Sequence, residues 1–169
     1  MNTRLPLTIL RLLQLAFTAI ILGLCGALLQ QQVAGGTPTR LNYAMFAAAL
    51  AGLSLLYLLP SVFIAAIHNP VAALVLDILN FLFLLCAGIA LAASLGGRSC
   101  NDARFRDANG IINGGSPVAN RVQRCHEAHA LTAFEWFAAF TFLASALIVW
   151  VSSCPFLPGK RKGKEKNVC

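Results

Sequence analysis

Apolar residues run through this chain in four long blocks, Leu7–Leu29, Tyr43–Ile67, Val71–Leu95 and Ala130–Val151, and most polar residues collect between them. A bilayer core about 30 Å thick needs roughly 20 apolar residues in a helix, and each block is long enough. None alternates polar with apolar as a membrane-barrel strand does. Each is therefore predicted to be a spanning helix. Gln30–Arg40 reads as a short polar turn, and His68–Pro70 as a very tight one that makes the second and third helices an antiparallel hairpin. Pro60 falls late in the second block, where it either kinks that helix or ends it. The N-terminus looks superficially like a signal peptide, with a basic start and an apolar run. That run is longer than a usual h-region and is interrupted by Arg11, so a retained signal-anchor helix is expected.

Composition supports the same picture. The 169 residues are 58% hydrophobic and 11% charged, against about 25% charged in an ordinary soluble domain. The expected fold class is all-α, a four-helix transmembrane bundle. A four-span unit over 1–155, with an outer loop over 98–127, leaves 156–169 as a basic tail and no room for a separate soluble catalytic module. The net charge of +7 lies outside the apolar blocks almost entirely. That pattern points to topology and lipid headgroups and away from nucleic acid. Four spans put both termini on one side. Lys and Arg nearly balance across the two sides, but two features break the tie. The tail holds a dense cluster, Lys160, Arg161, Lys162, Lys164 and Lys166, and the long loop holds Cys100 and Cys125 near its ends. A disulfide there suits an oxidising compartment, so the termini are expected in the cytosol. The tail cluster is the expected contact with anionic lipid.

The polar residues inside the apolar blocks carry the candidate chemistry. Asp77 lies about six residues into the third span, and Arg11 at a similar depth in the first. Each costs about 2.5–3.5 kcal/mol at a helix centre on insertion scales, which pairing relieves. Asp77 is thus expected to pair with Arg11, and Asn80, on the same face at i+3, to extend the network. A proton or ion relay would need ionisable groups spread across the bilayer, whereas this is one pair at one depth. Glu135 is expected near the outer end of the fourth span, reaching water or His129. His126 and His129, three apart beside Cys125, have no second Cys/His cluster to complete a metal site, so no metal and no cofactor are expected. Closing Cys100 to Cys125 spans about 24 residues, worth roughly 3 kcal/mol on the chain-entropy estimate. Cys25 and Cys86 read as packing residues, and Cys154, just after the fourth span, is a candidate S-palmitoylation site. Small residues recur at four-residue spacing (Ala19, Gly23 and Ala27; Ala44, Ala48 and Gly52; Gly88 and Ala92), a pattern that lets helices approach closely in lipid. No nucleophile elbow, phosphate loop or H-E-x-x-H appears, which argues against an enzyme.

Four stretches, "ILRLLQ", "TRLNYAMFAAA", "LVLDILNFLF" and "GGRSCND" with "RCHEAHA", occur in order across most of residues 9–140. Together they resemble the MARVEL-domain tetraspans, and more closely the fungal non-classical export protein family. By position, Arg11 and Asp77 match that family's intramembrane charges, and Cys100 and Cys125 its loop cysteines. The resemblance implies a non-enzymatic organiser of sphingolipid-sensitive plasma-membrane domains (eisosomes), linked to unconventional export. Its partners would be sphingolipid-rich and anionic lipids, other membrane-domain proteins or further copies of itself. Two other classes compete with this: a small transporter or channel using Asp77, and a membrane adaptor whose outer loop binds a secreted partner.

Overall fold

The computed structural model describes residues 4–33, 35–64, 66–114 and 120–153. Every regular element among them is helical: α1 Arg4–Gln30, α2 Thr39–Ser61, α3 Pro70–Leu95, the short α4 Ala103–Ala108 and α5 Gly110–Asn113, and α6 Arg121–Ser153. The four long helices are the four spans, each long and apolar enough to cross a membrane. They run alternately up and down and close into a ring, α1 against α2 and α6, and α3 against α2 and α6. The short helices sit on α6 at the end where α1 finishes. Cys154 and the tail cluster Lys160, Arg161, Lys162, Lys164 and Lys166 lie outside the described residues.

Local chemistry explains most boundaries. Asn69 caps α3, its side chain accepting from the Val71 and Ala72 amides, and Pro70 takes the first turn, where no amide donor is needed. Gly96 ends α3 in the left-handed region at φ 59°, a conformation open to glycine at little cost. Two boundaries depart from expectation by more than five residues. α2 ends at Ser61, six residues before Ile67, so Pro60 marks the end of the helix rather than a kink within it. The amides of Phe63 and Ile64 fold back onto the Pro60 carbonyl, and Tyr57 Oη donates to the Ile67 carbonyl at 3.0 Å. Residues 62–64 and 66–69 therefore form a longer, tethered connection in place of a three-residue turn. At the other end, α6 starts at Arg121, nine residues before Ala130, so part of the expected outer loop is helix.

The interior is built from small and branched residues. Ala44, Ala47, Ala48 and Ala51 of α2 share one core with Ile21, Leu28, Leu84, Leu91 and Phe142, all fully buried. Close packing of this kind holds helices together in lipid, where no hydrophobic force acts between them. At Gly88 of α3, an added Cβ would sit 3.3 Å from Trp136 Nε1 and 3.4 Å from Glu135 Cβ, so glycine sets the approach of α3 to α6. The small face of α1 behaves differently: Ala19 and Gly23 point outward and pack against no other span. Outward-facing Leu12, Leu15, Phe46, Leu56, Leu82 and Phe140 present the apolar surface a hydrocarbon core requires.

Candidate functional site: the polar core of the bundle

Asp77 on α3 and Arg11 on α1 face each other across the interior, with 0% and 2% of their surface exposed. The guanidinium engages the carboxylate in a fork, Nη1 to Oδ1 at 2.5 Å and Nη2 to Oδ2 at 2.8 Å. Only arginine offers this parallel pair of donors to a carboxylate. Two further residues complete the arrangement, neither of which stood out in the sequence. Gln14, one turn along α1, accepts from Arg11 Nη1 at 2.9 Å and donates to Ser145 Oγ at 2.9 Å and the Thr141 carbonyl at 3.0 Å. Ser145 Oγ also lies 3.4 Å from Arg11 Nη1 and donates to the Phe142 carbonyl. A single polar layer thus ties α1, α3 and α6 together. The visible signal was the i+3 spacing of Arg11 and Gln14 on one face of α1. Ser145 carried none, because a lone serine in an apolar helix usually bonds its own backbone.

Asn80 is not part of this layer, contrary to expectation. Residues three apart on a helix are offset by about 60° around its axis, and here that turn points Asn80 at α2. Ser54 Oγ lies 3.5 Å from Asn80 Oδ1, and Asn80 Nδ2 has no hydrogen-bond partner among the described residues.

Glu135 is the second correction. Because α6 begins at Arg121, Glu135 lies fourteen residues in, about 21 Å along the axis. It is fully buried, and neither carboxyl oxygen has a hydrogen-bond partner among the described residues. His129, its expected neighbour, turns the other way and places Nδ1 2.9 Å from the Cys125 carbonyl.

The end of the bundle carrying α4 and α5 is fastened by covalent and polar ties. Cys100 and Cys125 form a disulfide between the segment after α3 and the first turns of α6. Both sulfurs lie 3.7 Å from His129 Nδ1, but bridged sulfurs have no thiolate to offer a metal. His126 is exposed on α6 and joins no cluster. Arg106 Nη1 donates to the Cys100 carbonyl at 2.6 Å, and Arg121 pairs with Asp107. Arg124, which in the sequence counted only as a loop charge, is 1% exposed. Its Nη1 donates to the Leu28 carbonyl at 3.1 Å and Gln31 Oε1 at 3.3 Å, and its Nη2 to Gln32 Oε1 at 3.0 Å and the Ile111 carbonyl at 2.8 Å. One guanidinium thereby satisfies carbonyls that the end of α1 and the short α5 would otherwise leave bare. Of the remaining cysteines, Cys25 is buried as expected, whereas Cys86 is exposed on the outer face of α3 and packs into no core.

A buried polar layer inside a closed ring of four antiparallel apolar helices defines a multi-pass membrane protein. The Membrane-associating domain known as MARVEL matches residues 3–148. Over 141 residues the chain is 36% identical to Non-classical export protein 2 of Saccharomyces cerevisiae, covering 83% of this chain and 77% of that protein. It is 29% identical over 141 residues to the Non-classical export protein 2 homolog of Schizosaccharomyces pombe, covering 83% and 74%. With Non-classical export protein 102 of Candida albicans it shares 39% over 145 residues, covering 85% and 81%. The chain belongs to the non-classical export protein family of MARVEL-domain membrane proteins. No solved structure matches it significantly.

Proposed function

We propose that this protein is a non-enzymatic organiser of sphingolipid-sensitive domains in the plasma membrane, of the eisosome type, and that it supports unconventional protein export. Both termini face the cytosol in this reading. The observation that carries it is the Arg11–Asp77–Gln14–Ser145 layer. Its members spend their hydrogen bonds on one another at one depth, across three helices, which suits a lock between helices better than a stepping stone for a substrate. What the bundle offers its surroundings is a lipid-facing belt. The names of its relatives support the link to export. A tagged copy should sit in stable cortical patches that disperse when sphingolipid synthesis is blocked. A diffuse signal indifferent to that block would overturn the proposal.

A second reading, a small transporter, draws on Glu135, an acid at a different depth from Asp77 with no partner among the described residues. Transport would require Glu135 and Asp77 to act in turn. Substituting either acid would then abolish a flux while the protein still reached its membrane.

A further inference from the structure

At the end of the bundle where α1 begins, the four spans do not close completely. They leave a cavity of about 220 Å³ bounded by the first turns of α1 and α3, the last residue of α2 and the last turn of α6. The volume is below the roughly 300–1,000 Å³ of pockets that enclose a whole drug-sized ligand, and suits a headgroup whose tails remain outside. Its walls are amphipathic. Leu7, Val62 and Val149 form the apolar side, and Arg4, His68, Ser61, Ser152 and Ser153 the polar side.

Charge indicates what can fill it. Arg4 and His68 are exposed, and neither side chain has a hydrogen-bond or ion-pair partner among the described residues. The nearest acid along α3, Asp77, is committed to Arg11, and the remaining described acids, Asp102, Asp107, Glu127 and Glu135, belong to the other end of the bundle or its middle. Helix amides do not compete for the role, because Asn69 already takes those of Val71 and Ala72. The Arg4 guanidinium and the His68 ring N–H therefore line a cavity with no described protein anion to meet them. The serines add a second requirement. Ser61 and Ser152 donate to the Leu58 and Ile148 carbonyls at 2.8 and 2.7 Å, which leaves their oxygens as acceptors. Leu5, Phe63 and Ile67, the sequence neighbours of the lining residues Arg4, Val62 and His68, are exposed apolar side chains suited to meet acyl chains.

We infer that this cavity binds the headgroup of an anionic glycerophospholipid from the adjoining leaflet. The phosphate sits against Arg4 and His68, and the headgroup's hydroxyl or ammonium donors meet Ser61 and Ser152. Phosphatidylserine and the phosphoinositides have this combination of charge and donors; phosphatidylcholine has no donor. The site differs from the basic tail and does not depend on the microdomain reading, because it requires only a folded bundle in a bilayer.

The test uses the full chain in phosphatidylcholine nanodiscs doped with phosphatidylserine or a phosphoinositide, and native mass spectrometry to count the lipid retained. Wild type should retain anionic lipid in preference to phosphatidylcholine. Arg4→Gln should weaken retention roughly fivefold, the worth of one basic contact near a membrane surface, and Arg4→Gln/His68→Gln further. Both residues are exposed, so folding should be unaffected, and Arg40→Gln at the opposite end should change nothing. The loss should persist in a chain whose tail cations, Lys160 to Lys166, are neutralised. Equal retention by wild type and the double variant would overturn the inference, as would a loss produced only by tail neutralisation. Inorganic phosphate displacing the lipid at matching concentration would also overturn it, by showing a site for free phosphate instead of a lipid headgroup.

Discussion

Replacing Asp77 by leucine removes both acceptors from the fork that holds Arg11. Arg11 Nη1 would keep Gln14 Oε1 and Ser145 Oγ, but Nη2 would join Nε as a buried donor with nothing to bond among the described residues. The converse change, Arg11→Leu, strips the carboxylate of both its arginine bonds and frees Gln14 Oε1 as well. Removing one partner of a buried pair costs about 3–5 kcal/mol, because it leaves an uncompensated charge out of water. Both single replacements should be strongly destabilising. The double replacement Arg11→Leu/Asp77→Leu removes both charges and leaves Gln14 bonded to Ser145 and Thr141, so it should be far milder than the sum of the singles. A coupling energy of about 2–3 kcal/mol is expected. Surface abundance of tagged protein gives the cellular measure, and thermal unfolding in nanodiscs the physical one. Both singles should be retained in the endoplasmic reticulum and melt early, and the double should recover at least in part. Singles that traffic and melt like wild type would refute the lock, and so would a double as damaged as the sum.

Other substitutions probe other parts of the molecule. Gly88→Ala should cost little, since Trp136 must yield only a few tenths of an ångström, whereas Gly88→Leu should push α3 from α6 and lower the melting temperature sharply. Glu135→Gln should leave folding and patch localisation intact, and Glu135→Leu should raise thermal stability by removing an unpartnered buried carboxyl; a melting point lowered by Glu135→Leu would show that the acid has a stabilising partner. Non-reducing peptide mass spectrometry should recover Cys100 linked to Cys125, and Cys100→Ala should cost roughly 3 kcal/mol of stability. Two free thiols in purified protein would refute the bridge, and with it the case for placing that end of the bundle outside the cytosol.

The membrane, the number of spans and the matching depths of Arg11 and Asp77 were legible in the amino-acid sequence alone. Twenty or more apolar residues in a row admit one structure in a bilayer, and position along a helix converts directly to depth. It also singled out Arg11 with Asp77, since two opposite charges at matching depth in separate spans relieve each other, and Cys100 with Cys125, since the long loop holds no other cysteine. Direction around the helix axis was not legible in the same way. Apolar residues surround each span, so periodicity does not mark which face meets a neighbour. Packing decided that Asn80 turns to Ser54, that Gln14 and Ser145 join the charged layer, and that Ala19 and Gly23 face outward. Helix ends were likewise tertiary outcomes. The Cys100–Cys125 bridge, the Arg124 contacts and the ends of α1 and α5 all converge where α6 starts, two turns before its apolar run begins. That early start carries Glu135 from the rim, where its neighbours in the sequence suggested it belonged, into the closed interior of the bundle.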